Sequence, residues 1–167
     1  GFMGAPGWCK SPTQTINYAS CHDGYTLFDR ITLATPDALV ADRIKMNNLA
    51  AAFSILAQGV PFMQAGEEML RTKPDGAGSY DDNSYRAPDA VNAIKWSDLV
   101  KPEYAANVEY YKGLIAFRKA HAGLRCMTRE QVLATVTPLA TDAPQTAAYL
   151  VKEAGCEMVL LINAGTK

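Results

Sequence analysis

Thr15-Ile16-Asn17-Tyr18-Ala19-Ser20-Cys21-His22-Asp23-Gly24-Tyr25-Thr26-Leu27 opens on a β-prone run and closes on a turn. Thr15 to Ser20 reads as a strand, with His22–Asp23 just past its C-terminal end. A strand that delivers an imidazole and a carboxylate side by side at that end is how a β/α barrel builds an active site. Downstream, Val60-Pro61-Phe62-Met63-Gln64 reads as a short strand, apolar on both faces as in a buried parallel sheet. Between the two runs, Thr35-Pro36 predicts a helix start, a capping hydroxyl followed by Pro at the first helical position. Ile44, Leu49, Ala52, Phe53 and Leu56 recur at helical spacing, and Gly59 reads as the C-terminal cap. Strand, helix and strand with tight joints predict a parallel βαβ unit.

Working outward, Ala65 to Trp96 is a polar stretch rich in Gly, Asp, Asn, Pro and Tyr. Loops beyond ~15 residues are usually functional or disordered, and Tyr80, Tyr85 and Trp96 argue against disorder. This loop follows a strand end, so it belongs on the same rim as His22–Asp23. Pro102 to His121 predicts a helix with Tyr104, Val108, Tyr111 and Ile115 on one face. Beyond Arg125 the period changes. Val132–Thr137, Ala147–Lys152 and Met158–Ile162 read as antiparallel strands joined by turns. The boundary therefore falls at Arg125, giving domains 1–125 and 126–167.

An apolar content of 49% with 20% charged residues over 167 positions is ordinary for a globular protein. A formal net charge of −1 leaves no electrostatic footprint for nucleic acid or an acidic membrane. No apolar run approaches the ~20 residues that span a bilayer. The four cysteines, Cys9, Cys21, Cys126 and Cys156, lack metal-ligand spacing and read as buried or incidental thiols. The start lacks an initiator Met, and Leu160 to Lys167 stops just after a strand-like run. Both ends read as cut, which leaves the compartment of this bacterial-type sequence open between cytoplasm and secretion.

Taken alone, His22–Asp23 is also the pattern of a surface turn or a structural hydrogen-bonding pair. A metal phosphohydrolase needs further His and Asp ligands, but the only other histidine is His121. Gly76-Ala77-Gly78-Ser79 lacks the Gly-Lys-Ser/Thr that cradles a phosphate. No Ser or Cys nucleophile stands beside a partnered base, and no residue set calls for a metal. A sugar site fits best, because a pyranose offers hydroxyl edges for hydrogen bonds and C–H faces for stacking. Tyr18, Tyr25 and Phe28 surround His22–Asp23, and Asn83-Ser84-Tyr85 with Asp89 and Asn92 repeats the mixture of polar and aromatic groups.

At these residues a family resemblance becomes specific. Asn17 to Leu27 resembles the motif at barrel strand seven of the α-amylase superfamily of glycoside hydrolases. Gln58-Gly59-Val60-Pro61-Phe62-Met63-Gln64-Ala65-Gly66-Glu67-Glu68 resembles its eighth strand. Arg71-Thr72-Lys73, Asn83-Ser84-Tyr85, Pro88-Asp89, Asn92 and Trp96 are similar to the following loop of type I pullulanases, and Tyr110 to Lys119 to helix eight. The resemblance runs in order from Ile16 to Arg125. It implies an α/β fold, the C-terminal part of a (β/α)8 barrel from strand seven to helix eight, then the start of an antiparallel β-sandwich domain.

The implied activity is retaining hydrolysis of α-1,6-glucosidic links in pullulan, branched dextrins or glycogen, through an oxocarbenium-like transition state. Nucleophile and general acid belong to strands upstream of Gly1, so this chain alone is expected to be inactive. Glu67 and Glu68 match a structural position and do not replace them. Asp23 carries over as the catalytic transition-state stabiliser, and His22, Tyr25, Asn83 and Tyr85 as substrate-binding residues. The substrate partner is an α-glucan, with no nucleic acid and no membrane. No cofactor is required, and Ca²⁺ is compatible with the longer enzyme but not indicated by these residues. Gly24 stands where the family usually has Asn, which leaves linkage and chain-length preference open. Arg71 reads as a salt-bridge anchor of its loop, Trp96 as a packing residue, and Met46, Met63 and Met69 as core filler. The alternatives are a non-catalytic glucan-binding relative, an isoamylase and a neopullulanase.

Overall fold

A computed structural model describes residues 1–165; Thr166 and Lys167, which end the terminal run, lie outside the described residues. The elements are β1 (Ile16–Asn17), α1 (Leu27–Ala34), α2 (Val40–Leu56), β2 (Val60–Pro61), α3 (Asp89–Asn92), α4 (Pro102–Ala120), α5 (Arg129–Thr135), β3 (Val136–Leu139), β4 (Thr146–Glu153) and β5 (Cys156–Asn163), with short 3₁₀ turns between them. The chain divides into two compact units: Gly1–Asn17, Ala52–Phe62 and Leu114–Lys167 form the first, Tyr18–Ala51 and Met63–Gly113 the second.

In the first unit β1 and β2 pair in parallel, Ile16 opposite Val60 and Asn17 opposite Pro61. The pairing follows the βαβ expectation, but each strand is only two residues long. Val60 and Phe62 are exposed, against the expectation of a strand buried on both faces. Among the described residues β1 is the only strand beside β2, so no second strand flanks its other edge. The turn into β2 depends on Gly59, whose φ is +107°. A Cβ there would stand 2.4 Å from Thr15 Oγ1 and 2.9 Å from the Pro12 carbonyl oxygen, so only glycine fits.

Arg118 caps the end of helix α2 and the turn that follows it. The guanidinium donates to Ile55 O at 2.9 Å, Ala57 O at 2.7 Å and Gly59 O at 2.8 Å. Gln58 is fully buried and bonded at both polar atoms: Nε2 donates to Gly123 O at 2.7 Å, and Oε1 accepts the Cys126 N–H at 3.0 Å. The apolar core of this unit joins Phe2, Ala57, Leu124, Cys126, Val132, Val136 and Val151. Val136 and Val151 lie opposite each other in the antiparallel sheet β3–β4–β5, and Phe2 stacks on Tyr149 with ring centroids 4.3 Å apart.

Two expected boundaries fail for the same reason, an unrecognised cap. Thr26, not Thr35, starts the first helix: its Oγ1 accepts the Asp29 N–H at 3.1 Å, and α1 follows. Thr35 ends that helix instead, and the Arg43 guanidinium clamps the carbonyls of Thr35 and Pro36 before α2 begins at Val40. Likewise Val132–Thr135 is helix, not strand. Thr128 and Gln131 form a reciprocal capping box, and the strand begins only at Val136.

Helix α4 keeps its expected length but changes its face. Tyr111 is buried as expected, Ile115 is exposed, and Asn107 and Arg118 are buried in line with Tyr111. Trp96 is 66% exposed and does not pack, and Met46 is exposed while Met69 is buried. All four cysteines are free, with Cys9 and Cys126 buried.

Candidate functional site

The second unit holds a cavity of about 180 Å³ lined by His22, Asp23, Gln64, Arg71, Lys73, Asp82, Asn83, Ser84, Tyr85 and Asn92. It unites the His-Asp turn with the loop after β2. Of the residues expected from sequence, His22, Asp23, Asn83 and Tyr85 meet here; Tyr25 is half-buried and is not among the lining residues. His22 Nε2 lies 3.5 Å from Asp23 Oδ1, with side chains 85% and 83% exposed. Both groups are thus open to solvent and at most loosely paired with each other. Tyr85 is 72% exposed with the Arg86 guanidinium 5.2 Å from its ring centroid, an open aromatic face beside the polar groups.

The loop that brings Asn83 and Tyr85 to this place is tied down by hydrogen bonds to its backbone. Arg71 donates to Ala65 O at 3.1 Å and to the Asn92 carbonyl. It therefore anchors the loop through carbonyls; among the described residues it makes no salt bridge. Asn92 Nδ2 donates to Ser84 O at 2.6 Å and to Ala87 O at 3.0 Å, which shapes the turn carrying Tyr85. The Asp81 N–H reaches Lys73 O at 2.7 Å, and the Asn83 N–H reaches Asp81 Oδ1 at 2.7 Å. Nearer the tip of the loop, Asp75 Oδ1 accepts from Ala77 N–H and Ser79 N–H, an Asx turn.

Behind the exposed groups lie buried polar ones that sequence reading passed over. Lys73 is 2% exposed; its Nζ donates to His22 O at 3.2 Å, and its peptide N–H to Asp29 Oδ2 at 2.8 Å. Burial pushes the Asp29 carboxyl above its ordinary value, although bonds from Lys73 and Thr26 pull the other way. Gln64 lines the cavity from a buried position, with Ser20 Oγ 3.3 Å from its Oε1. The Ser20 hydroxyl donates to Glu67 Oε2 at 2.8 Å, and Tyr111 donates its hydroxyl to Glu67 Oε1 at 3.1 Å while accepting from Asn47 Nδ2 at 3.0 Å. Burial raises Glu67 above the usual carboxylate range and drives the Tyr111 phenol far up. Glu67 is therefore an internal bracket, as its sequence position implied. The only signal for Lys73 and Gln64 in the sequence was their place beside the loop and strand motifs.

A larger cavity of about 250 Å³ is lined by residues that include Leu70, Arg71, Lys95, Asp98, Lys101 and Tyr104. Its chemistry is already committed, since Lys101 Nζ bonds Asp98 Oδ1 at 2.8 Å and sits 4.8 Å over the Tyr104 ring. The smaller cavity is the better candidate. It offers two carboxylates, Asp23 and Asp82, with amide, imidazole and cationic donors and one aromatic face. That set matches a carbohydrate hydroxyl array.

No protein-family model matches the chain. The pullulanase of Bacillus subtilis is 36% identical over 131 residues, which span 75% of this chain and 17% of that protein. An isoamylase of a Flavobacterium species is 30% identical over 139 residues, 70% of this chain and 17% of that protein. A crystal structure of Paenibacillus barengoltzii pullulanase in complex with maltohexaose and α-cyclodextrin superposes with a TM-score of 0.86 at 35% identity. That match covers 95% of this chain and 24% of the other. The chain spans less than a quarter of the length of these relatives. Likeness in both sequence and fold along most of its residues makes this chain a member of the pullulanase family.

Proposed function

We propose that these residues form part of a retaining debranching hydrolase that cleaves α-1,6-glucosidic links in pullulan, branched dextrins or glycogen. Residues 1–125 are the end of its (β/α)8 barrel, strand seven to helix eight, and residues 126–167 the start of an antiparallel β-sandwich domain. The observation that carries the reading is the union of His22, Asp23, Asn83 and Tyr85 around one cavity, in a chain whose structural relative was crystallised with maltohexaose and α-cyclodextrin. Asp23 accepts hydrogen bonds from hydroxyls of the glucose unit at the cleaved bond and stabilises the distorted, oxocarbenium-like ring. His22 donates to the same sugar, Asn83 binds a hydroxyl edge, and Tyr85 stacks on a C–H face. Tyr25, which does not line this cavity, is carried as a further substrate-binding residue by the family resemblance alone.

Nucleophile and general acid come from residues outside these 167, so the chain by itself does not turn over substrate. Two measurements test the proposal. The longer polypeptide should release maltotriose from pullulan, and the purified 167-residue chain should release nothing. Hydrolysis of pullulan by the 167-residue chain would overturn the division of labour. The similarity to an isoamylase supports a second reading, in which branched glycogen is cleaved and pullulan is not.

A further inference from the structure

We infer that Lys73 is a positioning residue of this site, its buried ammonium holding the His22 carbonyl and so fixing how the Asp23 carboxylate is presented. The inference rests on the function proposed above. It starts from a difficulty in the geometry. The His22 and Asp23 side chains stand largely in solvent, and at 3.5 Å they do not lock each other. A transition-state contact must nonetheless be held to within ~0.5 Å of its productive geometry. Packing cannot do this for side chains that touch so little, so the backbone must.

Lys73 is built to hold that backbone. Lysine is almost never fully buried unless paired, yet Lys73 is 2% exposed. Its main chain is clamped on both sides: the N–H donates to Asp29 Oδ2 at 2.8 Å, and the carbonyl accepts from the Asp81 N–H at 2.7 Å. Asp29 is itself fully buried in the first turn of α1, immediately after the His22–Asp23 turn. The ammonium at the end of this fixed stem reaches His22 O at 3.2 Å. One lysine thus ties α1, the His-Asp turn and the loop that carries Asn83 and Tyr85. Burial and Arg71 push its pKa down, while Asp81, Asp29 and Asp23 counter them, which puts the ammonium within the field of the carboxylate it positions.

The test compares Lys73→Met, Lys73→Arg, Asp23→Asn and the Lys73→Met/Asp23→Asn double variant in the full-length polypeptide, with pullulan as substrate. A misplacement of about 1 Å can cost ~100-fold in rate, so Lys73→Met should lower kcat by about 10- to 100-fold with KM within about twofold. Lys73→Arg, which keeps a cation near the carbonyl, should recover part of that loss. Because Lys73 acts through Asp23, the double variant should be no slower than Asp23→Asn alone. An inactive Asp23→Asn beside an unaffected Lys73→Met overturns the inference alone. So does a rise in KM at constant kcat, which marks a direct substrate contact, or a full additive loss in the double variant. Failure of both Lys73 variants to fold also overturns it, by making the residue a support of the fold. Near-normal turnover by Asp23→Asn overturns the proposed function itself.

Discussion

The two units of the chain bury opposite kinds of side chain. In the first, Phe2, Ile55, Leu124, Val132, Val136 and Val151 are buried; of the polar exceptions, Ser54, Gln58 and Arg118, the last two donate to helix and turn carbonyls. In the second, Asp29, Asn47, Gln64, Glu67, Lys73, Ser84 and Asn107 are buried, and they outnumber the apolar residues there. The first is held by packing on a sheet. The second is held by hydrogen bonds among buried polar groups around a cavity, and it holds the candidate site. Polar brackets cost stability compared with an apolar core, but they fix direction, which a binding site needs.

The largest stability losses should therefore come from the close-packed unit. Gly59→Ala forces a left-handed backbone and a clash with Thr15 and Pro12, for an expected loss of about 2–5 kcal/mol in urea unfolding. Leu124→Ala, at a fully buried position, should cost about 3 kcal/mol through the cavity that it leaves. If either change falls within experimental error, packing does not hold that unit. In the second unit Tyr111→Phe deletes one hydroxyl and strands Asn47 Nδ2 and Glu67 Oε1, for about 1–3 kcal/mol. A neutral Tyr111→Phe would erase the contrast between the units.

A smaller effect has opposite sign in the two units. Burial raises Glu67 and Asp29, so their favourable contribution is complete below the ordinary carboxylate pKa and is lost as pH rises through the raised value. Glu153 is lowered, first by the Gly123 N–H at 2.8 Å and then by His121 at 2.7 Å. Its contribution is present above the ordinary value and is lost as pH falls through the lowered one. Melting temperatures between about pH 3 and pH 7 should show Glu67→Gln flattening the loss on the rising side, and Glu153→Gln flattening the loss on the acid side. Parallel behaviour of the two variants would contradict the assignment of Glu67 as a buried bracket.

The same contrast explains what the sequence made legible. Elements marked by apolar period were readable: α4 was expected over Pro102–His121 and spans Pro102–Ala120, and β4 and β5 contain their expected runs. The parallel pairing of the Ile16 and Val60 runs was readable too, from strand order and short joints. Elements decided by a single hydroxyl were not, as Thr26 and Thr128 showed. Buried polar residues were the least legible, because Asn107, Arg118, Gln64 and Lys73 carry the signature of a surface until their partners are known. Of the residues that line the cavity, His22, Asp23, Asn83 and Tyr85 are named from sequence, whereas Asp82 and the buried Gln64 and Lys73 are not, and Tyr25 is named but lies outside the lining.

The account stands most directly on Asp23. In the full-length polypeptide, kcat on pullulan should fall by about 10²- to 10³-fold in Asp23→Asn while the circular dichroism spectrum stays unchanged, since one pre-oriented transition-state contact is removed and the fold is not touched. Turnover within a few fold of the unaltered enzyme would contradict the assignment of this cavity as the sugar-gripping part of the active site.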